Sequence, residues 1–159
     1  MIGVSPAAKI VWNLLDISVL LNKYGEIISR EAGITTQQWL IMLYLAEDPN
    51  IPFLQRERHD KPLTASELAT ALNVSRPNIT NLVGSLLGKG YVRQTEDEDD
   101  RRKKRIVLTA AGRELVHRLE PNRSFFNTRL LKGFSGADVA KLLTQLEELN
   151  RTIREDFRV

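Results

Sequence analysis

Eight consecutive residues without one apolar side chain, Glu96 to Lys103, separate two segments of strand composition, Tyr91 to Thr95 and Lys104 to Leu108. Strand, polar loop and strand in that order make a hairpin, and the residues just upstream limit what it can pack against. Thr64 and Glu67 stand at capping-box spacing and open a short helix with Leu68, Ala69 and Leu72 on its inner face. Asn73-Val74 makes a turn. Ser75 caps a second helix and Pro77 sits in its first turn, where a missing N–H costs nothing. Ile79, Leu82, Val83, Leu86 and Leu87 form its buried stripe, and Gly88 and Gly90 end it. The other face carries Arg76, Asn78, Thr80, Asn81 and Ser85, all hydrogen-bonding types. Short helix, tight turn, polar-faced helix and basic hairpin describe a winged helix-turn-helix within a mainly α chain.

Charge then points to a partner. The whole chain carries a formal net charge of only +3, but residues 61–113 hold 10 basic and 6 acidic side chains. Arg101 to Arg105 are five consecutive basic residues, masked in the total by five acids immediately before them. A helix fits the major groove of double-stranded DNA, where donors and acceptors on its outer face read base edges. Arg76, Asn78, Thr80, Asn81 and Ser85 suit that task. Lys89 and Arg93 are placed for phosphate contact. Arg101, Arg102 and Lys103 on the hairpin loop suit the minor groove or the flanking backbone.

The chain ends suggest a second copy. Ser5-Pro6 starts a helix in which Ile10, Leu14, Ile17, Leu21, Tyr24 and Ile28 alternate by four and three, widened by Val11, Leu15 and Leu20. Gly33 breaks it. Thr35 and Gln38 restart a short, almost wholly apolar helix through Trp39 to Ala46, expected to be buried. Thr109 caps a helix that Pro121 is expected to kink or interrupt and Gly133 to end. Ser135 and Asp138 open the last helix, where Val139, Leu142, Leu146, Leu149 and Ile153 repeat the seam. Seams at both ends exceed what one small core covers, so a homodimer is expected, and a two-fold protein can read a palindromic site. The expected organisation is residues 1–47 as N-terminal dimerisation and core helices and 48–62 as an extended loop. Residues 63–109 form the DNA-binding region, and 110–159 are C-terminal helices completing the dimerisation region.

At this point the residues resemble a known family. Glu98-Asp99-Asp100-Arg101-Arg102, five residues, then Leu108-Thr109-Ala110-Ala111-Gly112 resembles the wing signature of the MarR (multiple antibiotic resistance regulator) family. Leu63 to Ala69 and Val74 to Thr80 resemble its two DNA-binding helices, and the long flanking helices match, including Phe134-Ser135 opening the last. The resemblance implies a cytoplasmic homodimeric transcription regulator, a repressor on a palindromic operator. It implies that Asp100 braces the wing, that Arg102 enters the minor groove, and that Ser75, Arg76, Pro77 and Thr80 touch DNA. It also implies a small aromatic or phenolic effector near the first helices and the helix after the wing, with Tyr24, Trp39 and His117 as candidate ligand residues. An effector that favours another spacing of the two recognition helices, ideally about 34 Å apart for half-sites on one DNA face, would lower DNA affinity by population shift. Three departures stand out. Asn81 replaces a frequent arginine, Gly84-Ser85 replaces an aspartate-arginine pair, and the 48–62 loop is roughly ten residues longer than usual connections.

Other function classes find little support. Cysteine is absent, which excludes disulfides, thiolate metal sites, a cysteine nucleophile and the thiol-switch branch of the resembled family. The acids at 96–100 fit no calcium-loop spacing and face five basic neighbours, so they are read as partners that hold the arginines, and no metal or cofactor is expected. His59, read in the loop, and His117 have no serine or carboxylate at catalytic spacing, so no catalytic residue and no enzyme is expected. No run of about 18 apolar residues or signal pattern appears, so no membrane association is expected. The alternative is a winged-helix module that contacts proteins without specific DNA binding.

Overall fold

The computed structural model describes residues 3–51 and 61–157. Helices α1 (Pro6–Arg30) and α2 (Thr36–Leu45) come first. Helices α3 (Ala65–Ala71) and α4 (Arg76–Gly88) follow, then strands β1 (Val92–Glu96) and β2 (Lys104–Leu108), and last α5 (Ala110–Leu130) and α6 (Gly136–Asp156). His59 and most of the loop expected at 48–62 lie outside the described residues. No helix among the described residues is long and apolar enough to cross a membrane.

The sequence signals act where they were read. Ser5 Oγ accepts from the Ala8 amide at the start of α1, and Pro6 occupies its first turn. Thr35 with Gln38, Thr64 with Glu67 and Ser135 with Asp138 all form reciprocal capping boxes. These answer N–H groups that a helix start leaves without intrahelical partners. Asn73 closes α3 with φ 52° and Gly90 follows α4 with φ 74°, the left-handed geometry that ends helices.

The chain divides into two compact units at Pro121. In the first, α2 is buried on nearly every side through Trp39, Ile41, Met42, Leu43 and Tyr44. Leu68 of α3, Ile79, Val83 and Leu86 of α4, Val92, Ile106 and Leu108 of the hairpin and Leu115 and Leu119 of α5 complete one core. The hairpin pairs antiparallel, Val92 opposite Leu108 and Glu96 opposite Lys104. Glu96 therefore belongs to β1, and the loop proper begins at Asp97. A third segment joins the ribbon, because Thr64 bridges Arg105 and the Ile106 amide donates to the Leu63 carbonyl at 2.8 Å.

Two features stand out. Pro121 does not interrupt α5, whose helical backbone runs on to Leu130 before the turn at 131–133, so Gly133 lies beyond its end. The proline removes one amide donor, and flanking turns carry the helix past it. Second, α1 is buried only at Gly25, Ile28 and Ser29, near its C-terminal end. There Gly25 faces Thr36 so closely that an added Cβ would lie 2.7 Å from it. From Pro6 to Lys23 every residue is exposed except the half-buried Leu14, and Trp12 is 73% exposed. In the second unit no residue of α6 is buried, and Leu143, Leu146, Leu149 and Ile153 lie open.

Candidate nucleic-acid interface

Helix α4 splits as its sequence predicts. Ile79, Val83 and Leu86 are buried, whereas Arg76, Pro77, Thr80, Asn81, Gly84 and Ser85 are exposed and Asn78 is half-buried at the margin. Some of these groups already have local duties. Ser75 Oγ accepts the Asn78 amide at 3.3 Å, the N-cap bond. Thr80 donates its hydroxyl to the Arg76 carbonyl at 2.9 Å, leaving an acceptor lone pair outward. Arg76 at the first helical position adds a formal charge to the positive end of the helix dipole. Lys89 differs from the rest: its Nζ donates to the Gly33 carbonyl, tying the end of α4 to the turn between α1 and α2. The ammonium keeps two further N–H donors beyond that bond.

The wing is a set of matched charges. Asp100 grips Arg102 from the side, with Nε at 3.0 Å from one carboxylate oxygen and Nη2 at 3.3 Å from the other. It also accepts the Arg102 amide at 3.1 Å. The guanidinium beside Asp100 holds its carboxyl below the usual range. These contacts of Asp100 all lie within the loop itself. The Arg102 side chain is nevertheless 91% exposed, and Nη1 remains unbonded at the tip among the described residues. Lys104 pairs with Glu96 across the ribbon at 2.9 Å, and Lys61 pairs with Asp99, which raises the lysine's pKa. Arg101 and Lys103 are exposed and form no ion pair among the described residues.

Asp97 and Arg105 were not singled out from sequence as site residues, and they are the most buried charges in the wing. The Asp97 side chain is 3% exposed and that of Arg105 14%. Arg105 Nε donates to one Asp97 oxygen, and the Asp99 and Asp100 amides donate to the other at 2.9 Å each. The guanidinium first, then those amides, hold the Asp97 pKa down to about 2. Arg105 also donates to the Pro62 carbonyl at 2.5 Å and lies 3.5 Å from Glu67. Neither could be told from its neighbours in a row of acids and a row of bases. Only the alternation of sides along β2 separates Arg105 from Lys104.

The Leu108–Gly112 signature holds the hairpin to the helix that follows it. The Thr109 hydroxyl donates to the Gly90 carbonyl at 2.7 Å and accepts the Gly112 amide at 3.0 Å. A Cβ on Gly112 would sit 2.0 Å from the Tyr91 carbonyl oxygen, so only glycine permits this approach.

The three residues considered for an effector do not share one setting. Trp39 is buried in the core, and its indole N–H has no hydrogen-bond partner among the described residues. Tyr24 is half-buried and packs against the same core cluster. His117 is exposed on α5, outside that cluster.

Comparison with known proteins follows this geometry. The MarR family pattern matches residues 32–103, which span α2 through the wing. The transcriptional activatory protein BadR of Rhodopseudomonas palustris is 30% identical over 141 residues, covering 88% of this chain and 75% of that protein. The uncharacterized protein Rv2011c of Mycobacterium tuberculosis is 23% identical, covering 92% and 91%. Among solved structures, the transcriptional regulator SlyA superposes with a TM-score of 0.78 at 19% identity, covering 94% and 96%. The Staphylococcus aureus MepR–DNA complex does so at 0.75 and 21%, covering 94% and 99%. At those identities the solved structures establish the winged-helix fold.

Proposed function

Because the chain belongs to the MarR family of transcription regulators, we propose that it binds double-stranded DNA sequence-specifically as a homodimer. The observation that carries this reading is a single juxtaposition. The exposed polar face of α4, opposite its buried stripe, is followed at once by a hairpin that presents Arg102 at its tip, with exposed Arg101 and Lys103 beside it. In this reading Arg76, Pro77, Thr80, Asn81 and Ser85 face the major groove, with Ser75 and Asn78 at its edge. Arginine reads guanine and asparagine reads adenine by paired hydrogen bonds. Arg101, Arg102 and Lys103 supply phosphate or minor-groove contacts. Such a division gives affinity to the charges and selectivity to the helix.

The homodimer rests on apolar surface. Ile10, Val11, Trp12, Leu15, Ile17, Leu20 and Leu21 of α1 are all exposed, as are Leu143, Leu146, Leu149 and Ile153 of α6. Covering one such side chain is worth about 1.5–3 kcal/mol, and a second copy of the chain supplies apolar surface of the same kind. Two copies place two recognition helices on a palindromic site. The sign of regulation is proposed to be repression, although the 30%-identical relative BadR carries the description of an activatory protein. An aromatic or phenolic effector at Tyr24 and Trp39 belongs to the same reading, with His117 its least supported member.

Selection of bound fragments from a random DNA pool tests the function. The expected product is a palindrome with half-sites about one helical turn apart, roughly 34 Å. A reporter behind that site reads the sign of regulation. No enrichment, or binding that Arg102→Ala leaves unchanged in affinity and salt dependence, would favour a protein-contact module instead.

A further inference from the structure

We propose that Asp97 and Arg105 form a positioning pair that fixes the wing-tip Arg102 relative to the helix-turn-helix. The inference rests on the DNA-binding reading and deepens it. A chain of polar contacts runs without a gap from α3 to the tip. Glu67, in the first turn of α3, accepts the Thr64 amide at 2.7 Å and lies 3.5 Å from the Arg105 guanidinium. Arg105 donates to the Pro62 carbonyl and to Asp97. Asp97 receives the Asp99 and Asp100 amides, and Asp100 in turn holds the Arg102 amide and guanidinium.

The chemistry of the two groups explains why they can span the junction. A carboxylate has two oxygens: Asp97 gives one to the guanidinium and the other to the loop backbone. A planar guanidinium donates along separate edges: Arg105 gives one to the wing and another to the segment that enters α3. A lysine carries one ammonium and cannot hold both edges in fixed geometry. The wing loop has no apolar side chain between Asp97 and Lys103, so polar contacts alone hold it: the Asp97–Arg105 pair at its base, the Lys61–Asp99 pair at its side, and the Asp97 amide on the Lys103 carbonyl at 3.1 Å. Helix α4 packs on α3, so a wing fastened to α3 is also fastened relative to the reading helix. A loop ordered in advance does not lose conformational freedom on binding, and that raises affinity.

The test is a double-mutant cycle on the full chain with the duplex recovered by selection, following affinity by fluorescence anisotropy at several salt concentrations. Asp97→Ala is expected to weaken binding tenfold or more. Combined with Arg102→Ala it should weaken binding no further than Arg102→Ala alone, because a wing without its tip has nothing left to position. Amide exchange at Asp99 and Asp100 should accelerate in Asp97→Ala. A general loss of fold would multiply with Arg102→Ala instead. If Asp97→Ala loses helical content, Asp97→Asn, which keeps an acceptor oxygen but loses the charge, takes its place in the cycle. Unchanged affinity, or losses that multiply, overturns the positioning role while wild-type binding and its Arg102 dependence stand. Wild-type protein that binds no duplex overturns the DNA reading, and this inference with it.

Discussion

At the scale of single residues, two glycines make opposite predictions. Gly112→Ala would place a Cβ 2.0 Å from a backbone oxygen that no side-chain rotation can relieve. The expected loss is at the upper end of the ~1–3 kcal/mol that overpacking costs, read as a fall in melting temperature. Gly84 lies inside α4 with nothing within 4 Å of an added Cβ. Gly84→Ala should therefore raise stability by about 0.5–1 kcal/mol through helix propensity alone. Asp97 makes a prediction about pH. Its folded pKa is depressed to about 2, so its contribution is complete above the unfolded value near 4 and is lost as pH falls from there through 2. Melting temperature across that window should fall less steeply in Asp97→Asn than in the wild type. Equal slopes would mean that Asp97 is not ionised against Arg105.

At the scale of elements, caps and stripes explain why α3 and α4 form where they do. Leu86 is fully buried on α4 and Asn81 is exposed on the same helix. Leu86→Ala should cost ~2–5 kcal/mol in unfolding free energy, whereas Asn81→Ala should leave the melting curve nearly unchanged and alter which duplexes are bound. If Asn81→Ala left the selected sequence intact, that face of α4 would not be reading bases at this position. Most of this division was legible in the primary structure, because the helical repeat sorts apolar from polar residues without reference to anything distant. The wing was legible only as a hairpin. Five acids followed by five bases can pair in many ways, and the pairs that form depend on β-ribbon register and on the approach of Pro62 and Glu67.

At the scale of the whole molecule, the unresolved demand is the apolar surface of α1 and α6. An isolated helix with apolar residues on more than one side is not stable in water by propensity alone, and α1 is exposed from Pro6 to Lys23 apart from half-buried Leu14. The homodimer reading predicts that Ile17→Glu with Leu21→Glu shifts the sedimenting species from dimer to monomer. DNA affinity should fall by far more than the loss of any one phosphate contact. A variant that stays dimeric would remove α1 from the interface. Salt offers a second check: Arg102→Ala should lower the slope of log affinity against log salt by about 0.9 if Arg102 neutralises one phosphate.

The order of elements, their caps, the two faces of α4 and the amphipathic seams at both chain ends follow from the sequence alone, since each depends on residues within a turn or two of one another. Tertiary structure decided three other matters. It assigned Glu96, Asp97, Asp99 and Asp100 to their bases, it gave Gly112 its necessity through the Tyr91 carbonyl, and it carried α5 through Pro121. The physical reason is common to all three. They depend on groups brought close only after folding, or on whether neighbouring turns outweigh one missing hydrogen bond. The +3 net charge belongs with them: it says little until the structure shows which positive groups are already matched and which, at exposed Arg101 and Lys103, form no ion pair among the described residues.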